Sequence, residues 1–297
     1  MRLNKIKKIE FWWHHCKKIS WLYNQDIFLS TNLVESYWCR MKNLLKKSII
    51  AVLSLLMFAA CVRDFKSCRY EIPVSGEDIA EVYIEHTGYT VSFNPEANIP
   101  NWVAWELNTE KLIERESRSN KFLPDPNIAP HLAVTTNDYK RSGWDRGHMC
   151  PAADNKWHWK AMDESFYMTN ICPQNHNLNR GDWKELEDAC RRWAEIEPVY
   201  IACGPILYKA PKYGYIGKEH QIRIPDAFFK VVLTGLQSGN PRAVGFIYKN
   251  EAGNYKRDKY VNSIDEVERI TSFDFFSELP DDVEETIEAE YDLDEWS

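Results

Sequence analysis

The sequence predicts an α+β domain on a largely antiparallel sheet flanked by helices. Two observations carry this. From about Ile79 onward, short runs rich in β-branched and aromatic residues are punctuated by glycine and proline, and between them lies a stretch with helical spacing. A hydrophobic fraction of 44% and an aromatic fraction of 13% supply a real core, and no repeat or low-complexity block interrupts it.

The strand-type runs are residues 89–93, 102–107, 199–203 and 228–233, with Gly204-Pro205 and Ile224-Pro225-Asp226 as turn signals. Residues 181–194 place Trp183, Leu186, Ala189, Cys190 and Trp193 on one helical face. A further helix begins at Ser263, where Glu266 three residues on completes a capping pattern.

The 297 residues exceed one ordinary domain, so the expected division is a large domain with appendages. A basic head over residues 41–47 precedes an uncharged, mostly apolar run of 13 residues, 48–60, the layout of a secretory signal. That run is shorter than the about 20 residues a membrane-spanning helix needs. Small residues before Cys61 resemble a bacterial lipoprotein processing site, which makes Cys61 a candidate for lipidation, residues 61–78 a tether, and the protein an exported periplasmic or cell-surface one, membrane-anchored through that lipid. Met41 is then the expected start and residues 1–40 upstream translation; the adjacent His14, His15 and Cys16 make a poor chelate.

Of the eight cysteines, Cys68, Cys150, Cys172, Cys190 and Cys203 fall beyond this segment; five is odd, and no C-x-x-C pair indicates zinc. Residues 61–297 hold 27 basic and 41 acidic side chains, a net of −14. That excludes recognition of a polyanion by a broad basic field and leaves local arginines and a divalent cation to do it. Residues 281–297 carry nine carboxylates and no basic residue, which reads as a solvated acidic tail.

Chemistry concentrates at Asp145-Arg146-Gly147-His148, with Asn179 and Glu187 downstream. A histidine beside an arginine, with an amide and a carboxylate, provides a base for water, a hard-cation site and charge for a phosphate, the requirements of phosphodiester hydrolysis. The stretches 144–149, 170–174, 178–183 and 186–187, with Trp102-Val103-Ala104, Phe122-Leu123-Pro124-Asp125-Pro126, Cys203-Gly204-Pro205-Ile206 and residues 224–230, together resemble the DNA/RNA non-specific endonuclease family, a branch of the ββα-metal or His-Me finger nucleases. The resemblance covers roughly residues 79–280, with the motifs in the family's order.

The resemblance implies a metal-dependent, sugar-non-specific endonuclease acting on DNA and RNA. It makes His148 the general base and Asn179 the direct ligand of magnesium or another divalent cation such as manganese. Glu187, eight residues on and about 12 Å away along a continuous helix, would hold metal-bound water rather than the ion itself, or else pair with Arg191 across one helical turn. Arg191 would help at the scissile phosphate or leaving group, and Arg146 and Arg118 would contact phosphate, a surface ion pair being the rival role for Arg118. Asp145 and Asn170 orient the histidine or metal-bound water, or brace a tight turn. Asn179 also suits a helix N-cap. His158 and His176 read as packing or loop residues, and Trp144, Trp157 and Trp159 as core or rim, with base stacking the alternative. Two alternative functions keep the same site: a phosphodiesterase on small nucleotide substrates, or a catalytically silent surface binding lipoprotein. No protein partner is inferable.

Overall fold

The computed structural model describes residues 68–76 and 78–296. The expected upstream segment, signal and Cys61 lie outside the described residues. The strands are β1 (Val74–Ser75), β2 (Val82–Glu85), β3 (Thr90–Asn94), β4 (Ile99–Leu107), β5 (Asp145–His148), β6 (Ile171–Gln174), β7 (Val199–Ile206), β8 (Tyr215–Ile216), β9 (Ile222–Arg223), β10 (Ala227–Thr234), β11 (Arg242–Lys249), β12 (Val261–Asn262) and β13 (Phe273–Asp274). The helices are α1 (Thr136–Tyr139), α2 (Trp159–Glu164), α3 (His176–Arg180), α4 (Asp182–Ala194), α5 (Ile264–Thr271) and α6 (Asp281–Ala289).

Seven strands form the central sheet in the order β12-β11-β10-β7-β4-β3-β2, and every pairing in it is antiparallel. All four expected strands belong to it. β10 is buried at every position because both faces of the sheet are covered, which explains its near-continuous apolar sequence. On one face Phe228 meets Trp183 of α4, with ring centroids 5.6 Å apart. On the other, Phe229 packs against Phe275 at 5.5 Å, beneath the region of α5. α4 lays its apolar stripe on the sheet, stacking Trp193 on Phe246 at 6.4 Å; each such fully buried side chain contributes roughly 1.5–3 kcal/mol. Ser263 caps α5 as expected, accepting from the Glu266 amide at 3.3 Å.

Three expectations need correcting. The helix leading to Glu187 is not continuous from Asn179. A Cβ at Gly181 would sit 2.7 Å from the Asn177 carbonyl oxygen, and the chain turns there to divide α3 from α4. The segment taken as a tether is partly within the fold, since β1 pairs with β13 and Arg69 bonds Glu71 and Glu85. The acidic terminus is not simply solvated. Trp296 is 2% exposed, and its carbonyl accepts from the Trp193 indole at 2.6 Å. A charge count hides the fact that Ile287 and Trp296 supply an apolar side to an otherwise acidic segment.

Cys150, Cys172, Cys190 and Cys203 are buried thiols outside any disulfide. Burial holds each of them above the ordinary thiol range. Among the described residues no helix is long and apolar enough to cross a membrane.

Candidate active site

β5 and β6 form a separate antiparallel pair in which Asp145 faces Gln174 and His148 faces Ile171. Gly147 is required by this close approach: a Cβ there would lie 2.1 Å from the Gln174 side-chain oxygen and 2.7 Å from its Cβ. His148 ends the strand with its ring 4.9 Å from Phe166 and 5.3 Å from Phe122, and only 9% exposed. Its Nε2 is buried without a hydrogen-bond partner, an arrangement that normally requires a reason. Burial first, and then the charges of Arg118 and Arg146, push the imidazole down to about 3, so the ring is neutral across the physiological range.

Those two arginines arrive from different segments. Arg146 lies over the Phe122 ring at 4.1 Å and Arg118 over Phe166 at 5.3 Å, so each stacks on a ring that also touches His148. Both are exposed, and among the described residues neither takes the surface ion pair that was the rival expectation for Arg118.

Asn179 stands on the last turn of α3, and the N-cap of that helix is Asn175, whose side chain accepts from the amides of Asn177 and Leu178. The Asn179 amide nitrogen donates to Asp145 Oδ2 at 3.0 Å, which turns Oδ1 away from Asp145 and leaves it available as a donor to a cation. Asp145 also meets His176 at 3.3 Å and Arg180 at 3.4 Å. Burial alone would raise its carboxyl, but hydrogen bonds from Asn179 and His176 and the nearby positive charges hold it below the usual range. His176, read from sequence as a loop or packing residue, therefore joins the network. A cleft of about 560 Å³ opens here, lined by Phe122, Tyr139, Lys140, Trp144, Asp145, Arg146, Asn179 and Arg180 among others.

Asn170 is spent on the backbone: Nδ2 donates to the carbonyls of Cys150 and Ser165, and Oδ1 accepts from the Cys150 amide, each at 2.8 Å. It braces the turn after His148, with no amide hydrogen left for metal-bound water. Arg191 does not pair with Glu187 across one turn of α4. It bonds Asp154 Oδ1 at 2.7 Å and also Asp188, and Asp154 is 3% exposed. Glu187 remains half-buried on α4 with its carboxyl pushed up to about 7, by burial above all.

Lys230 is the residue that sequence reading passed over. It is fully buried in β10, with Nζ 4.6 Å from the centre of the Trp183 ring and 5.0 Å from that of Trp105. Its charge pulls down the carboxyls of both Glu187 and Asp154. A lysine inside the apolar run of residues 227–233 was the available signal, since strand alternation puts it on the same face as Phe228 and Val232. His158 caps α2 through Nδ1, accepting from the Lys160 amide at 3.2 Å, and Trp159 is 60% exposed at the rim.

A strand pair bearing the histidine, followed by helices bearing the amide and the carboxylate and set against a large antiparallel sheet, is the ββα-metal architecture. The model of the DNA/RNA non-specific endonuclease family matches residues 68–282, and the chain belongs to that family. It is 34% identical over 228 residues to the mitochondrial nuclease EXOG of Xenopus laevis, covering 72% of this chain and 62% of that protein. It is 33% identical to the mitochondrial Nuclease 1 of Schizosaccharomyces pombe, covering 74% of this chain and 73% of that one. A nuclease of Nostoc sp. is 33% identical, with 69% and 76% covered. A chain in the crystal structure of the EndoG/EndoGI complex superposes with a TM-score of 0.62 at 26% identity, covering 69% of this chain and 89% of that one. The chain thus spans under two thirds of the length of the EXOG relatives, 62% of the Xenopus and 60% of the human protein.

These names overturn the expected exported, lipid-anchored location, because most of the named relatives are mitochondrial nucleases. The physical reason is that a basic, acid-poor leading segment is common to secretory and mitochondrial addresses, so its composition does not select export.

Proposed function

We propose that this chain is a divalent-cation-dependent nuclease that hydrolyses phosphodiester bonds of DNA and RNA, with residues 79–280 as its catalytic domain. The observation that carries the reading is the buried, unpartnered Nε2 of a neutral His148 on the strand that also bears Asp145 and Arg146 at the cleft. His148 accepts the proton of the attacking water through that nitrogen. Burial and two arginines make it a weak base in the free protein. A phosphate bound beside Arg118 and Arg146 cancels part of their charge, so the imidazole gains basicity as substrate arrives.

The donor set suits a hard cation. Asn179 offers a neutral amide oxygen that Asp145 orients, and Glu187 offers a carboxylate for cation-bound water. When bound, magnesium or a similar ion supplies charge stabilisation to the pentavalent phosphorus and the leaving oxygen. Arg146, Arg118 and Arg180 hold phosphate oxygens at the cleft mouth, where overall negative charge forbids a broad basic surface. Arg191 keeps Asp154 and Asp188 in place and so sets the position of α4 beneath Glu187.

The test is cleavage of circular plasmid and of RNA by the full chain with magnesium, beside His148→Ala and an EDTA control. Loss of both substrates only in the metal-loaded wild type is expected. Intact substrates over a range of divalent ions would overturn the reading.

A further inference from the structure

On the face of the sheet opposite α4, α5 and α6 bring three carboxylates together. One oxygen each of Asp265, Glu268 and Glu288 lies within 4.8 Å of the others. The first two stand three residues apart on α5, and Glu288 reaches in from α6. Glu268 accepts from the Phe275 amide at 2.7 Å, while Glu288 is 6% exposed and its Oε1 is buried with no hydrogen-bond partner. Asp274 and Glu284 add further negative charge nearby. The adjacent cation, Arg269, is taken by Glu266 at 2.7 Å, and among the described residues no lysine or arginine pairs with any of the three.

A carboxylate buried against like charge without a partner is costly, and either a proton or a cation relieves that cost. Burial and the neighbouring acids hold the Glu288 carboxyl up at about 9 and that of Glu268 at about 7, so a cation that binds here at neutral pH displaces the proton Glu288 carries without it. Calcium bonds oxygen at about 2.3–2.6 Å, so opposed ligands stand roughly 4.6–5.2 Å apart, whereas magnesium draws them to about 4.2 Å. Three oxygens within 4.8 Å of one another fall inside the span of either ion. Three carboxylates, with exposed Asp265 leaving an open side for water, suit the flexible coordination by about six to eight oxygens that calcium takes.

We propose that Asp265, Glu268 and Glu288 form a structural site for a calcium-class divalent cation that fastens α6 to α5. It stands apart from the Asn179 cleft and from the nuclease reading. Its consequence is mechanical: α6 leads to Trp296, which docks on Trp193 of α4, so the ion holds the terminal segment across the fold.

The experiment uses the full chain carrying Asn179→Ala, which removes the proposed active-site ligand, stripped with EDTA and then given calcium. Bound calcium is read by equilibrium dialysis and the melting temperature by calorimetry. With calcium near a hundredfold above Kd, the melting temperature should rise by about 5–10 °C. Magnesium at the same concentration should raise it less. Glu288→Gln should keep the fold and lose the calcium-dependent rise. Asp265→Asn, at an exposed position, should weaken binding by at least about tenfold and carries the test alone if Glu288→Gln does not fold. No bound calcium at millimolar concentration, or an equal rise in wild type and variants, would overturn the site.

Discussion

His148 makes the most direct prediction, because its burial ties a catalytic proposal to a measurable stability. Its ordinary value of 6.5 falls to about 3 in the fold, through burial first and then Arg118 and Arg146. Between those values the unfolded chain binds a proton that the folded chain refuses, so stability falls as pH falls from 6.5 towards 3. The full gap corresponds to about 5 kcal/mol, of which about 2 kcal/mol lies between pH 7 and pH 5. His148→Asn keeps a neutral polar side chain of similar size and removes the titration. Urea denaturation of both proteins in EDTA at pH 7, 6 and 5 should therefore show wild type losing about 2 kcal/mol relative to the variant over that range. The carboxyls of Glu268 and Glu288 titrate in both proteins and cancel in the difference. Parallel pH profiles would mean that His148 takes its proton as readily in the fold as outside it, and the neutral buried base would be refuted.

The other predictions concern the groups around it. Asn179→Ala should abolish metal-dependent cleavage, and Asp145→Ala should lower the rate by about 10–100-fold with a matching loss of magnesium affinity, read from the metal dependence of kcat/KM. Arg191→Ala strands buried Asp154 and should cost about 3 kcal/mol in urea denaturation; a stability unchanged from wild type would return Arg191 to a purely catalytic role. Lys230→Met removes the charge that pulls Glu187 down from still higher values, so the limb of the pH-rate profile that reports Glu187 should move to higher pH. An unmoved limb would separate Lys230 from that carboxylate.

Much of the fold was legible because the two faces of the central sheet differ little in burial. Runs such as residues 228–233 are apolar throughout, and the spacing of Trp183, Leu186, Cys190 and Trp193 leaves α4 one sheet-facing side. β11 passed unnoticed although it pairs with β10 along its whole length, because Gly245 and the terminal Arg242 and Lys249 dilute its pattern. The tail misled for the opposite reason, since nine carboxylates outweigh two apolar anchors in any count of charge.

The order Asp145-Arg146-Gly147-His148, then Asn179, then Glu187, determined the family and the chemistry available, because side-chain type sets which atoms can bind protons, cations and phosphate. Which of those atoms are free was decided only by the tertiary structure. The His148 ring is buried against Phe122 and Phe166, Asp145 turns the Asn179 oxygen outward, backbone groups take all of Asn170, and Asp154 takes Arg191. Asn170 and Asp154 lie 20 and 37 residues from those partners in the chain. Hydrogen-bond supply and demand between such distant segments has no local signature, and the pKa values that follow from burial have none either.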